Sequence, residues 1–377
     1  MAQESKSVGI IGAGASGCIC AYFLLKSGMK DITLFDFSSP LRTLLPTGGG
    51  RCNFAHAEFD YKELASNYPR GEKFLYSVFS KFSTTDTLAL FEELGIESYT
   101  QEDGRIFPVS NDSKEVRAKI LDKLKGVNFI REKVLYIKPL ENGFVLKTDK
   151  AEYFFTDVVI SSGGGSVIEG TKHMLVPFKP SLVGLNTNIT NLSGIVLKNV
   201  YSEDIGEAGD ILFTHFGISG PLTFKISSVK AREKFPYELK FNLFYADFDF
   251  QALLNKNPHK CVKNILSDIF PQRFAEWIAA DTAEVQGCKI DGKTRDRILD
   301  RINNFTLTVT GTNKGEETVT SGGYDLNEIN SKTMESKLHP RLFFTGETID
   351  IDGFCGGFNL QNAWSTAYIA AQGIISG

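Results

Sequence analysis

The sequence lacks the motifs that mark several common classes of enzyme. It contains no GxSxG elbow, no HExxH motif and no phosphate-binding loop, so hydrolase, zinc-protease and nucleoside-triphosphatase functions have no support. No CxxC pair is present, which excludes a redox-active dithiol or a zinc knuckle, and no metal site is predicted. The cysteines are scattered and are predicted to be free thiols in a reducing cytoplasm: Cys18, Cys20, Cys52, Cys261, Cys288 and Cys355.

An excess of basic charge is also missing. The formal net charge is -4 and the pI is near 5.9, which argues against nucleic acid or an anionic membrane as the main partner and favours a small-molecule substrate. The polar start MAQESKS lacks the basic segment of a signal peptide. The uncharged run from Val8 to Leu25 contains glycines where a strand, a tight turn and a buried helix require them, so we reject a transmembrane interpretation. We predict a cytoplasmic protein without a membrane partner.

The start of the chain carries a dinucleotide-binding fingerprint. Val8 to Ile11 is predicted to be a buried strand, and Ala15 to Ser27 a helix that Gly28 ends. The GxGxxG motif lies between them, and Asp36 ends the next strand about twenty residues later, as a Rossmann-type fingerprint requires. The candidate cofactor residues of this motif are Gly12, Gly14, Ala15, Ser16, Gly17 and Asp36.

Each part of the fingerprint has a chemical reason. Gly12 permits the tight turn, Gly14 lets the backbone approach a pyrophosphate, and Gly17 lets the helix pack on the strand. The helix N-terminus faces the phosphate charge. A carboxylate at Asp36 accepts ribose hydroxyls and repels a 2′-phosphate, so the pattern favours FAD or NAD over NADP. The alternative is a structural glycine turn without a ligand.

Two more glycine loops are candidate cofactor contacts. The run TGGGRCN contains Gly50, Arg51 and Asn53, and consecutive glycines of this kind form a backbone nest for an anion or lie against a flat ring. A flexible surface loop is the alternative. Cys52 has no partner at a useful spacing, so we predict a packed residue there. Gly163, in the run ISSGGGS, follows another predicted strand.

The segment TGETIDIDGFCGGFNL joins a predicted strand to the last helix. The carboxyl end of a strand beside a helix N-terminus is where an open α/β sheet binds ligands. Amides at that helix start are suited to negative charge on the pyrimidine edge of a reduced flavin. An EF-hand calcium loop is excluded because the acidic spacing and the closing Glu are missing.

The pattern of strands and helices predicts two domains. A parallel sheet with helices spans residues 1–184 and 331–377, and the runs VNFIRE, KVLYIKP, GFVLKT and EYFFTDVVIS are predicted to form an antiparallel meander that returns to this sheet. Residues 185–330 form an inserted β-rich domain with a helical insert at about 250–303. Its loop FTHFGISGP carries His215, a candidate proton donor in a substrate pocket, with a structural turn as the alternative.

These motifs together resemble a family of bacterial flavoproteins that includes members similar to aminoacetone oxidase and to 3-dehydro-bile-acid reductase. The motifs are GIIGAGASG, TGGGRCN, EDGRIFPVS, LFTHFGISGP and the long C-terminal segment from Ser331 to Trp364. The resemblance implies an α/β fold: a Rossmann-like FAD domain of the two-dinucleotide-binding type, interrupted by a β-barrel-like domain with a helical insert. One departure is a shortened segment after SSGGGS, where the family has a longer Gly-Asp-Gly segment and a helix.

The resemblance also implies residue roles. Val134 would contact adenine through its main chain. The other implied FAD positions are Gly12, Gly14, Gly17, Asp36, Arg51, Asn53, Gly346, Glu347, Asp350, Gly357, Asn359 and Leu360.

Three functions remain open from the sequence. The leading hypothesis is an FAD-dependent reductase that passes hydride from NADH or NADPH through FAD to a conjugated enone or carbonyl acceptor. The chain has no second GxGxxG, so the nicotinamide would dock transiently over the flavin. The alternatives are an amine or aminoketone oxidase that uses oxygen, and a non-catalytic or RNA-associated flavin-binding protein.

Overall fold

The computed structural model describes residues 6–244, 249–313 and 319–377. Residues 1–5, most of the polar start that argued against a signal peptide, lie outside the described part. The chain divides into two compact units, Met1–Lys179 with Val319–Gly377, and Pro180–Thr318. Each unit has its own hydrophobic core.

The secondary structure of the described residues follows the order of the chain. The strands are β1 (Val8–Ile11), β2 (Ile32–Phe35), β3 (Ala55–His56), β4 (Ser98–Thr100), β5 (Arg105–Pro108), β6 (Asn128–Ile130), β7 (Val134–Leu140), β8 (Gly143–Thr148), β9 (Glu152–Phe155), β10 (Asp157–Ile160), β11 (Leu175–Ser181), β12 (Leu185–Thr187), β13 (Val196–Ser202), β14 (Glu207–Phe213), β15 (Gly217–Ser219), β16 (Tyr237–Asn242), β17 (Phe305–Thr312), β18 (Val319–Tyr324) and β19 (Leu342–Phe344). The helices are α1 (Ala15–Lys26), the short turn α2 (Thr47–Gly50), α3 (Tyr61–Ser66), α4 (Glu72–Phe79), α5 (Thr84–Glu93), α6 (Ser113–Asp122), α7 (Pro221–Val229), α8 (Phe250–Lys256), α9 (Val262–Leu266), α10 (Gln272–Ala279), α11 (Gly292–Asn303) and α12 (Phe358–Ser376).

A parallel sheet forms the centre of the first unit, with the strand order β19-β10-β1-β2-β6. Strand β1 lies between β10 and β2, with Ile10 opposite Val159 and Leu34. All residues of β1, β2, β10 and β19 are buried, which explains why these segments, apart from Thr33 and Asp157, are apolar rather than alternating. The predicted Rossmann-like architecture is confirmed.

The predicted meander is smaller than expected. Strands β7, β8 and β9 form a three-stranded antiparallel sheet, but the first predicted run, β6, pairs in parallel with β2, with Phe129 opposite Leu34. Strand β6 thereby becomes the edge strand of the main sheet. The periodicity of a short strand does not reveal which edge it joins.

The boundaries of the two units differ from the predicted ones. Strand β18 pairs with β11, so residues 319–330, predicted to lie in the inserted domain, belong with the first unit. The other boundary falls after Lys179 rather than after residue 184. The pairing partner of β18 lies far away along the chain, and the sequence pattern does not show it.

The second unit contains a closed antiparallel barrel with the strand order β12-β15-β14-β13-β16-β17. Helices α8 to α11 lie between β16 and β17 in the chain, which confirms the predicted barrel with a helical insert. Leu239, Phe241, Leu307 and Val309, on the neighbouring strands β16 and β17, are fully buried. A closed barrel leaves no open strand edge.

Within residues 6–244, 249–313 and 319–377, no helix combines the length and apolar character needed to cross a bilayer. The same described residues contain no cluster of His, Cys, Asp and Glu side chains suited to a metal ion. All six cysteines lie in described segments and are free thiols.

Candidate functional site

Two glycines of the fingerprint are required by protein packing. Gly12 follows β1 with φ +103°, and a Cβ atom there would lie 2.3 Å from the carbonyl oxygen of Ser161. A Cβ on Gly17 would lie 2.0 Å from the carbonyl oxygen of Gly12. Both distances are far below van der Waals contact, so any side chain would force β1, β10 and α1 apart. Protein packing therefore requires glycine at both positions, and their contact with a cofactor stays a prediction.

Gly14 needs a different explanation. Its backbone is extended, and a Cβ there would have only the Thr43 Oγ1 atom within 4 Å among the described residues, at 3.9 Å. Protein atoms therefore do not require a glycine at this position. Gly14 is also the N-cap of α1, and no side chain of the described residues caps this helix. Open space beside uncapped amides fits a phosphate group that approaches the backbone closely.

The carboxylate of Asp36 is fixed at the end of β2. Its Oδ2 accepts a hydrogen bond from the Ala13 amide at 2.9 Å, and its Oδ1 accepts from the amide and hydroxyl of Ser38 at 2.7 and 2.8 Å. The acidic residue is thus tied directly to the glycine turn. Oδ2 accepts one hydrogen bond and retains acceptor capacity for a ribose hydroxyl, whereas Oδ1 already accepts two.

A cavity of about 930 Å³ opens beside this carboxylate. Gly12, Asp36 and Val134 all line it, so the structure brings these three predicted residues together. Ser162 also lines it, and its buried Oγ atom has no hydrogen-bond partner among the described residues. The volume suits a nucleotide-sized ligand, and Ser162 offers it an unused polar atom. Gly163, next in the chain, has φ +80°, and a Cβ there would meet no described atom within 4 Å.

The TGGGRCN loop has an unusual backbone. Gly48, Gly49 and Gly50 have φ values of 59°, 70° and 87°, a succession that only glycine adopts without strain. Arg51 is anchored, since its Nε donates to the Gly48 carbonyl at 3.1 Å and its guanidinium carbon lies 4.1 Å from the centre of the Phe107 ring. Cys52 is fully buried, as predicted for a packed residue.

Two predicted cofactor residues, Asn53 and Asn359, have side chains that bind the protein backbone. Asn359 accepts from the Gly353 amide and donates to the Gly353 carbonyl, both at 2.8 Å. With its amide oriented to satisfy its neighbours, Asn53 donates to the carbonyls of Ala55 and Ile106 and accepts from the Gly357 amide. A direct contact of either side chain with a cofactor stays a prediction.

The C-terminal motif meets the fingerprint at Gly346. This residue follows β19 with φ +64°, and a Cβ there would lie 2.7 Å from the Ser16 Oγ atom on α1. Its amide donates to the Thr366 hydroxyl on α12 at 2.9 Å. Ser16 and Gly346, predicted as cofactor residues from opposite ends of the chain, are therefore neighbours. Ala15 begins α1 on the same turn.

The carboxyl group of Glu347 has a strongly raised pKa. Burial, followed by the negative charge of Asp352, raises the pKa of Glu347 to about 7, and a hydrogen bond from the Gly164 amide acts in the opposite direction. The Asp352 carboxylate is fully buried and forms an ion pair with the guanidinium of Arg70. Asp350, two residues earlier, is also buried.

Helix α12 begins beside these acids. Gly357 is its N-cap with φ +99°, and no side chain of the described residues caps the helix. Leu360 lies in the first turn. Gln361 and Asn362 follow; both are fully buried, and each has a side-chain oxygen without a partner among the described residues. Free amides and unused polar atoms at one helix start fit a polar ligand.

His215 belongs to the barrel unit, whereas the predicted cofactor residues belong to the first unit. It lies between β14 and β15, its side chain is exposed, and its ring meets that of Phe216 edge to face at 5.2 Å. An exposed imidazole is free to exchange protons with a bound molecule, but this geometry does not assign it a catalytic role.

Sequence reasoning missed two residues that organise the C-terminal motif. His56 binds the carbonyl of Gly356, and Arg70 pairs with Asp352. His56 directly follows the TGGGRCN motif in the run FAH, which was a usable signal. Arg70 lies in the run NYPRG between α3 and α4 and gave no such signal.

Comparisons with known proteins show which family the chain matches and which proteins it is similar to. The model of the HI0933-like protein Rossmann domain family matches residues 6–373. The chain is 31% identical over 407 residues to a protein named ribosomal RNA dihydrouridine synthase from Haemophilus influenzae, covering 99% of both chains. It is 27% identical over 412 residues to 3-dehydro-bile acid delta(4,6)-reductase from Clostridium scindens, covering 97% of this chain and 98% of that one.

A solved structure supports the fold alone. The open conformation of a flavocytochrome c3 fumarate reductase matches 99% of this chain and 78% of its own length, with a TM-score of 0.50 and 13% sequence identity.

Proposed function

The chain belongs to the HI0933-like protein Rossmann domain family of FAD-binding oxidoreductases, and from that premise we propose that it is an FAD-dependent reductase. Its acceptor is a carbon–carbon double bond conjugated to a carbonyl group, and its electrons come from NADH or NADPH. When bound, FAD would accept two electrons from the nicotinamide and deliver them to the acceptor.

The observation that carries this proposal is the chemistry shared by two relatives that match nearly the whole chain. A dihydrouridine synthase saturates the ring double bond of uridine, which is conjugated to a carbonyl group. A delta(4,6)-reductase saturates double bonds of a 3-oxo steroid, conjugated in the same way. The substrates of the two relatives differ greatly in size and charge, but in both the reduced bond is a carbon–carbon double bond conjugated to a carbonyl group.

The residues of the first unit support the cofactor part of the proposal. The Asp36 carboxylate would accept the ribose hydroxyls, the open space at Gly14 would admit the pyrophosphate, and the cavity lined by Val134 would hold the adenine. The amides at the start of α12 favour negative charge, which develops on a flavin when it is reduced. The remaining proposed contacts are Ala15, Ser16, Gly50, Arg51, Gly163, Gly346, Glu347, Asp350 and Leu360.

A first experiment tests the reductase by its visible spectrum. The purified protein is reconstituted with FAD and mixed anaerobically with NADH, then with NADPH. We expect the flavin bands to bleach, and we expect 2-cyclohexenone to restore them faster than the saturated control cyclohexanone. Bands that persist with both nicotinamides but bleach with a small amine, with peroxide formed in air, would identify an amine oxidase instead.

Uridine in ribosomal RNA is the second candidate acceptor, favoured by the identity of 31% over 99% of both chains to the Haemophilus influenzae protein. The acidic composition favours a small molecule. The two acceptors are separated by adding an unmodified ribosomal RNA fragment to the reduced protein and measuring dihydrouridine by mass spectrometry. Dihydrouridine in the RNA without turnover of any small enone would overturn the small-molecule proposal.

A further inference from the structure

The peptide group between Gly356 and Gly357 is held on both sides by side chains. The Nδ1 atom of His56 lies 3.1 Å from the carbonyl oxygen of Gly356. A carbonyl oxygen only accepts hydrogen bonds, so Nδ1 carries the hydrogen and donates it. On the other side of the same peptide group, the Gly357 amide donates to the Oδ1 atom of Asn53 at 3.1 Å.

The orientation of the Asn53 amide follows from its other contacts. Its Nδ2 group donates to the carbonyls of Ala55 at 2.9 Å and Ile106 at 3.1 Å. Both of these partners are acceptors, so the nitrogen must face them and the oxygen must face Gly357. Asn53 is buried, which makes a reversed amide costly because it would leave polar atoms unpaired.

The clamped peptide group immediately precedes α12. Gly357 is the N-cap of this helix, and a Cβ there would lie 2.4 Å from the carbonyl oxygen of Ala55, so the backbone of β3 lies directly against it. The His56 ring also stacks on the first residue of the helix, Phe358, with ring centres 4.7 Å apart. Residues of β3, together with Asn53 just before this strand, therefore determine the direction of the first turn of α12.

We propose that His56 and Asn53 are positioning residues that orient the Gly356–Gly357 peptide group and so aim the first amides of α12 at the reduced flavin. This inference rests on the proposed function, in which α12 begins at the flavin. Helix amides stabilise negative charge only when they point at it, so a turned or loosened first helical turn favours reduced FAD less. Neither residue touches the cofactor in this role.

Three substitutions of His56 distinguish the hydrogen bond that Nδ1 donates to Gly356 from the stacking of the ring on Phe358. His56→Asn places an amide N–H where Nδ1 was and keeps the donor. His56→Gln places its amide near the position of Nε2, and His56→Phe keeps the stacking on Phe358, but both lose the donor to Gly356. Exposed His259, changed to Gln, is the matched control. The measurements are the midpoint potential of bound FAD and the dissociation constant of oxidised FAD.

We expect the Phe and Gln variants to lose about tenfold in their preference for reduced over oxidised FAD, which equals about 30 mV for a two-electron couple, whereas His56→Asn stays within about threefold of wild type. If His56→Phe does not fold, His56→Gln tests the same donor. Wild-type potentials in both donor-free variants would overturn the inference. A wild-type protein that takes up no FAD would instead overturn the proposed function.

Discussion

The Nε2 atom of His173 lies 2.8 Å from the Oγ atom of Ser336, although the two residues are 163 positions apart. The Nδ1 atom of His173 lies 3.0 Å from the carbonyl of Thr171 and must donate to it. Ser336 Oγ already accepts from the amides of Leu338 and His339. Its two lone pairs are then used, so its hydrogen points at Nε2 and the imidazole is neutral.

This network makes folding sensitive to acid. Burial lowers the pKa of His173 below its ordinary value of 6.5. The unfolded chain takes up a proton at this imidazole near pH 6.5 while the folded protein resists it, so the stability contribution is complete above pH 6.5 and is lost as the pH falls below it. We expect the urea midpoint of the wild type to fall more steeply between pH 7.5 and 5.5 than that of His173→Gln, with His259→Gln as control. Parallel pH profiles would contradict this role.

Gly14 offers a test of the cofactor site that leaves the fold intact. Because a Cβ at Gly14 would have only the Thr43 Oγ1 atom within 4 Å among the described residues, we expect Gly14→Val to fold but to block the approach of the pyrophosphate and yield colourless protein. A Cβ on Gly292, at the start of α11, would likewise meet no described atom within 4 Å, so Gly292→Val is a matched control that should keep its flavin. Circular dichroism checks the fold and absorbance at flavin wavelengths the occupancy. A yellow Gly14→Val protein with full FAD content would refute the fingerprint role.

The parts of the fold that the sequence predicted are those determined by neighbouring residues. The β1 strand, glycine turn and α1 helix follow from local periodicity and from glycine chemistry, and the carboxylate of Asp36 falls in place because β2 is adjacent to β1. Long-range pairing was not predictable in the same way. Strand β6 joins the main sheet, and β18 joins β11, through edges that a single sequence pattern does not mark.

The site shows the same division. The resemblance assigns Asn53 and Asn359 to the cofactor, and that contact stays a prediction. In the structure the side chain of Asn359 binds the backbone of Gly353, and that of Asn53 binds the backbone of Ala55, Ile106 and Gly357. The sequence alone does not show which backbone groups an asparagine in a glycine-rich loop binds. His56 acts on a carbonyl 300 positions later in the chain, a distance at which spacing carries no information.

His215 is the predicted proton donor to the acceptor. Because its side chain is exposed, a substitution there tests this role with little effect on the fold. His215→Ala removes an exposed side chain, so we expect stability to change by no more than about 0.5 kcal/mol and FAD binding to stay intact. If the imidazole donates a proton to the acceptor, reoxidation of the reduced protein by an enone should slow by about 10²- to 10⁴-fold. Stopped-flow absorbance measures this rate, with His259→Ala as the control. An unchanged rate would indicate that His215 has only a structural role in the turn between β14 and β15.

The pKa of Glu347 predicts a pH dependence opposite in sign to that of His173. Because burial and the Asp352 charge raise this pKa from 4.5 to about 7, the unfolded chain loses the proton near pH 4.5 while the folded protein keeps it to about pH 7. The stability contribution of Glu347 is therefore complete below pH 4.5 and is lost as the pH rises towards 7, by up to about 3 kcal/mol. Glu347→Gln cannot ionise and should remove this loss.

We expect Glu347→Gln apoprotein to gain stability relative to wild type as the pH is raised from 5 to 7.5, measured as the difference between their urea midpoints at each pH. Exposed Glu92→Gln is the control and should show a constant difference. Asp352→Asn supplies an independent check, because removal of the neighbouring charge lowers the pKa of Glu347 and moves the transition to lower pH. Asp352→Asn also removes the negative charge that pairs with the largely buried guanidinium of Arg70. We expect this loss to lower the free energy of unfolding by about 3–5 kcal/mol at every pH measured. A difference between Glu347→Gln and wild type that does not change with pH would show that Glu347 is already ionised in the folded protein across this range.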